Sequence, residues 1–96
     1  MSIQFNDAKE LASNYLETQD FELELALIDE ETIERDFGWV FFYCAKKYQE
    51  TLEPKYMIGG NAPIIIDKSN GKITETGTAR EIEYYIEEYL KGNLNN

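Results

Sequence analysis

Apolar residues recur at Ala8, Leu11, Ala12, Tyr15 and Leu16, the spacing of one face of an α-helix. The pattern predicts a helix that starts at Phe5-Asn6-Asp7-Ala8 and ends near Thr18 to Asp20. Asp7 and Glu10 are spaced as a capping box, with Asn6 as the rival cap. From Phe21 to Ile28 the period drops to two. Phe21, Leu23, Leu25 and Leu27 point one way and Glu22, Glu24 and Ala26 the other, as in a half-buried antiparallel strand. Asp29-Glu30-Glu31-Thr32-Ile33-Glu34-Arg35-Asp36 reads as an acidic connecting loop. After Gly38, the run Trp39-Val40-Phe41-Phe42-Tyr43-Cys44-Ala45 is apolar on both parities, which predicts a central strand covered on both faces.

Lys46 to Tyr56 reads as the exit from that strand and a longer loop, because Pro54 forbids a central strand. Met57-Ile58 leads into Gly59-Gly60-Asn61, a turn that lacks the spacing of a nucleotide-phosphate loop and feeds a strand. Ile64-Ile65-Ile66 is a β-branched strand and Ile73 to Thr76 its return. Between them, Asn70-Gly71 predicts a type I′ hairpin turn. Gly77 breaks the second strand, and Thr78 with Glu81 has the spacing of a capping box. The last helix is expected from Ala79 to about Lys91, with Ile82, Tyr85, Ile86, Tyr89 and Leu90 as its apolar stripe. Glu83, Tyr84, Glu87 and Glu88 lie away from the stripe, and Gly92 is placed to end the helix.

The predicted order is α-β-β-β-β-α. This is the α+β class: one domain over residues 1–92, with a mainly antiparallel four-stranded sheet packed by two helices. Residues 93–96 are expected to fray. No repeat or low-complexity segment interrupts it.

Charge and composition narrow the chemistry. The 96 residues carry a net charge of −10 with no histidine and one cysteine. Without histidine the commonest general base and metal ligand are missing, and no Ser-His or Cys-His nucleophile can be built. Cys44 falls inside the apolar run, where a buried, inert thiol is expected. A structural zinc site and an intrachain disulfide are both excluded. No apolar run approaches a membrane span. Met1-Ser2-Ile3-Gln4-Phe5 does not read as the start of a signal peptide, so the expected compartment is the cytoplasm. No cofactor is expected.

The acids cluster in two stretches. Residues 22–36 hold seven acids and one arginine, and residues 81–96 four acids and one lysine. Such a surface repels nucleic-acid phosphates and steers a basic protein partner toward it. Asp29, Glu30, Glu31, Glu34 and Asp36 form the first candidate contact patch, and Glu83, Glu87 and Glu88 the second. The plainer reading is a solvated, solubilising surface. The acidic connection lacks the spacing of a calcium loop, so no metal is expected there.

Three blocks occur together: Gly38-Trp39-Val40-Phe41-Phe42-Tyr43; Gly60-Asn61-Ala62-Pro63-Ile64-Ile65-Ile66-Asp67 with Asn70-Gly71; and Thr76-Gly77-Thr78-Ala79 with Ile82-Glu83-Tyr84-Tyr85-Ile86. In this order they resemble the small bacterial YrhB-type family, the immunity protein 35 domain, over roughly residues 5–90. The resemblance implies a non-catalytic domain that binds and neutralises a cognate protein toxin, and it carries over no catalytic residue. If the toxin acts on nucleic acid, its basic cleft would complement this acidic chain. The alternative is a chaperone-like or other accessory protein-binding module, presenting an aromatic patch from Trp39, Tyr48, Tyr56 or Tyr84. An enzyme is the third reading, but nothing pairs the carboxylates with a pocket or nucleophile.

Overall fold

The computed structural model describes residues 2–19, 24–56 and 62–94. The first helix, α1, runs Phe5–Glu17. It begins earlier than its acids suggested. Gln4 is the N-cap, and the Asp7 carboxylate reaches back to accept the Gln4 backbone N–H at 3.1 Å. Asp7 therefore closes the first turn from inside the helix. The predicted apolar face holds: Ala8, Ala12 and Leu16 are buried, and Leu11 and Tyr15 pack beside them.

Strand β1, Leu25–Leu27, is the described part of the first predicted strand; Phe21 and Leu23 lie outside the described residues. The acidic connection is not a plain loop. Asp29–Glu31 forms one 3-10 turn, and Ile33–Arg35 is a strand, β2. Asp36 and Phe37 turn the chain into β3, Gly38–Phe41, which pairs antiparallel with β2. At Phe42 the ladder breaks, and β4, Tyr43–Ala45, pairs instead with β1. The long apolar run is thus one path serving two sheets. The stretch expected as its exit loop holds a short helix, α2, Lys46–Thr51, and a 3-10 turn at Pro54–Tyr56. Strands β5, Ile64–Asp67, and β6, Ile73–Glu75, complete a four-stranded antiparallel sheet in the order β2-β3-β5-β6. The last helix, α3, runs Ile82–Leu90.

The sheet has the expected number of strands but a different membership. β2 occupies the edge place, and β1 pairs outside that sheet. The central pair is β3 and β5, whose Trp39-Val40-Phe41 and Ile64-Ile65-Ile66 are buried on both faces of the sheet. Alternation sorts their side chains. Trp39, Phe41, Tyr43, Ile64 and Ile66 join Ala8, Ala12 and Leu16 of α1 in one core; Val40 and Ile65 meet Ile86 of α3 in another. The helices lie on opposite faces of the sheet.

Local chemistry accounts for two further departures. The β5–β6 connection is not a two-residue type I′ turn. Only Gly71 has positive φ, at 75°. Asp67 accepts the Ser69 N–H at 2.8 Å, Asn70 accepts the Lys72 N–H at 2.9 Å, and the Gly71 N–H closes the loop onto the Asp67 carbonyl at 2.7 Å. Side-chain acceptors thus stabilise a longer loop. The Thr78 capping box does not form either: α3 starts after Glu81, and residues 78–80 are bends. At the other end the Gly92 N–H donates to the Tyr89 carbonyl and the Asn93 N–H to that of Glu88, with Gly92 at φ +79°. That is a Schellman stop, and Leu94 beyond it packs on the α3-side core. The turn at Gly59-Gly60-Asn61 lies outside the described residues.

Candidate functional site

The two acidic stretches are far apart in sequence, and strand order decides which of their members meet. In β2 the side chains alternate, so Ile33 and Arg35 share one face with Val40 and Gly38, while Glu34 lies opposite Trp39 on the other. The face of Arg35 is the face covered by α3. The Arg35 guanidinium donates to the Glu83 carboxylate at 3.1 Å, joining the first acidic stretch to the second.

Around this ion pair lies a groove of about 470 Å³, lined by Glu34, Arg35, Asp36, Phe37, Glu83, Ile86, Glu87 and Leu90. Its wall is built from the core outward. Phe37 rests on Tyr89 with ring centroids 5.0 Å apart. The Tyr89 hydroxyl donates to Asp67 at 2.6 Å, and the Phe37 carbonyl accepts the Lys68 N–H at 2.8 Å. The groove wall is therefore tied to the β5–β6 loop. Hydrogen bonds from Ser69 and Tyr89 hold the Asp67 carboxyl below its usual range, and burial with the Asp67 partnership pushes the Tyr89 hydroxyl well up.

Four of the predicted contact acids, Glu34, Asp36, Glu83 and Glu87, line this one groove. The other four lie elsewhere. Asp29 pairs with Lys9 of α1 at 3.0 Å, and Glu30 and Glu31 are exposed on the 3-10 turn before β2. Glu88 is set apart from Glu83 and Glu87 by the helical turn. It is half-buried, accepts a bond from Asn93 and lies 3.9 Å from Lys91. Lys91 thus meets Glu88, three residues back.

Reading the sequence for acids alone missed the apolar part of the groove. By spacing Leu90 belongs to the apolar stripe, yet it is 65% exposed. A helical wheel gives the signal: at about 100° per residue Leu90 stands at the edge of the stripe, next to Glu83. Glu34 also lines a smaller groove with Phe5, Thr32 and Trp39 on the α1 side.

The other candidates resolve into structure. Trp39 is 6% exposed and edge-on to Phe5, so it belongs to the core. Tyr84 is exposed, with the Arg80 guanidinium 5.2 Å from its ring centroid, and Tyr56 is half-buried, with the Lys47 and Lys55 ammonium groups 5.7 and 5.2 Å from its ring centroid. Cys44 is half-buried, and burial pushes its thiol up, away from a reactive thiolate. Among the described residues no group of three or more acids and cysteines is placed to hold a metal ion, and no helix is long and apolar enough to cross a membrane.

The family model described as immunity protein 35 matches residues 6–91. An uncharacterized protein of Escherichia coli (strain K12), YrhB, is 34% identical over 87 residues, covering 91% of this chain and 88% of the relative. No solved structure matches. The chain belongs to the immunity protein 35 family.

Proposed function

We propose that this chain is an immunity protein that binds a cognate protein toxin in the cytoplasm and blocks its working surface without chemistry of its own. The match to the immunity protein 35 family over nearly the whole chain carries this reading. The net charge of −10 supports a partner with a basic surface, such as the active cleft of a toxin that acts on nucleic acid. Glu34, Asp36, Glu83 and Glu87 would form the centre of the contact, with Asp29, Glu30 and Glu31 as a flank that steers approach. Glu88, turned away from Glu83 and Glu87 and engaged at the end of its helix, would contribute only distant charge.

The test is rescue. Cells expressing the toxin encoded beside this chain should survive when the chain is co-expressed, and the two proteins should co-purify. Reversing Glu30, Glu31 and Glu34 to lysine should slow association by about tenfold or more at low salt, an effect that fades as salt rises. A chain that leaves the toxin fully active yet suppresses aggregation of a heat-stressed client would instead make it an accessory binding module.

A further inference from the structure

The groove at the β2–β3 turn sets four of the candidate acids beside apolar walls, whereas the smaller α1-side groove holds only Glu34. Phe37 and Ile86 line it, and Leu90 stands at its rim with most of its side chain in water. Four carboxylates and one guanidinium complete the lining. That guanidinium already sits on Glu83, as an internal occupant of a cation's place. The pair is exposed, so exchanging Arg35 for another cation is cheap.

We propose that this groove receives a basic segment of the toxin, one that sets an apolar side chain next to a lysine or arginine. The proposal rests on the immunity reading. The apolar group meets Leu90 and Phe37, and the incoming cation takes Glu83 as Arg35 swings aside. Charge complementarity selects this occupant. An acidic peptide or a nucleic acid is repelled by the four carboxylates, and a second copy of the chain brings another −10. The wall is also set in advance, since Phe37 is fixed by Tyr89 and by the Lys68 N–H, so little ordering opposes binding.

Two synthetic peptides with the same apolar pattern, one carrying lysine and arginine and the other glutamate, are titrated into the isotope-labelled full chain and followed by amide NMR shifts. The basic peptide should shift Arg35, Phe37, Glu83 and Leu90 and leave Glu30 and Glu31 nearly still. Its Kd should weaken at least fivefold, roughly, in Leu90→Ser and in Glu83→Gln, with the salt dependence reduced only in Glu83→Gln. Leu90 and Glu83 are exposed, so both variants should fold, which circular dichroism checks. Absent shifts, shifts spread evenly over the acidic surface, an equal response to the glutamate peptide, or unchanged binding by Leu90→Ser would each overturn the groove. Rescue separates the two readings. Wild-type protection lost in Leu90→Asp but kept in a Glu10→Lys, Glu17→Lys double variant, whose two exposed acids lie on α1, supports the groove. Full protection by Leu90→Asp discards the groove and leaves the immunity reading standing. A wild-type chain that fails to protect removes the toxin as partner, and the proposal with it.

Discussion

On the α1 side of the sheet, Ala8, Ala12 and Leu16 settle onto Trp39, Phe41, Tyr43, Ile64 and Ile66, and all eight are buried. On the α3 side, Val40, Ile65 and Ile86 are the buried members of the cluster, and half-buried residues such as Ile33, Phe37, Ile82 and Tyr89 complete the layer. The small side chains of Ala8 and Ala12 let α1 approach closely, whereas α3 stands on aromatic rings and leaves a groove at its edge. A thick core on one face makes the fold; the thinner layer on the other carries the surface where binding is proposed. Residues at the edge of a thin layer can be altered with less loss of stability, which suits a recognition surface.

The sharpest way to break that comparison is a pair of truncations. Phe41→Ala should destabilise the domain by about 3–5 kcal/mol, since Phe41 is almost fully buried and its neighbours are fixed on two strands and a helix. Ile86→Ala should cost less, about 2 kcal/mol, because the groove beside it lets the site relax or fill with water. Urea unfolding of both variants decides it. Equal losses would mean that the two faces contribute alike.

Next in size is the bond that anchors the thin layer. Tyr89→Phe removes the hydroxyl that donates to Asp67 at 2.6 Å and should cost about 1–2 kcal/mol at pH 7. Its pH dependence is the more specific signature. The folded Asp67 carboxyl lies below its unfolded value, so its contribution is present above about pH 4 and is lost as pH falls through the lower folded value. The Tyr89 hydroxyl is raised, so its contribution is complete below about pH 10 and declines as pH rises toward the folded value. The gap between wild type and Tyr89→Phe should therefore be widest between these limits and narrow at both ends. A constant gap from pH 3 to pH 11 would make the loss one of packing.

The same contrast explains what could be read from the sequence. Ala8, Leu11, Ala12, Tyr15 and Leu16 gave away α1 because a complete amphipathic face faces a complete core. The β3 and β5 strands were equally legible, since residues buried on both faces are apolar on both parities. β2 was not. Its three residues, Ile33, Glu34 and Arg35, have only one side chain turned to the core, and an edge strand that short looks like the loop around it. The start of α3 was misplaced because Thr78 and Glu81 have the right spacing for a cap, while Gly77 must lie under Tyr85: a Cβ on Gly77 would come within 2.6 Å of the Tyr85 hydroxyl. The acids of the candidate site were visible as charge. Their division into a groove set, Glu34, Asp36, Glu83 and Glu87, and a scattered remainder depends on strand order and helix phase, which charge alone does not encode.

The smallest effects test whether the two faces differ in role as well as in thickness, through two surface ion pairs of nearly equal geometry. Lys9–Asp29 spans α1 and the 3-10 turn at 3.0 Å, and Arg35–Glu83 spans β2 and α3 at 3.1 Å; all four side chains are well exposed. Exposed pairs of this kind contribute between nothing and about 1 kcal/mol, because water screens the attraction and ordering two long side chains opposes it. Lys9→Ala and Arg35→Ala should therefore lower the unfolding midpoint by similar, small amounts. Binding should separate them. Removing Lys9 frees a carboxylate remote from the groove, while removing Arg35 frees Glu83 within it and deletes the competing cation. Arg35→Ala should then bind the basic peptide more tightly than wild type, by up to about fivefold, the increment expected for losing one surface ion pair. Lys9→Ala should change that Kd little. Equal tightening in both variants would show that only overall negative charge matters, and the two faces would then be alike to a partner.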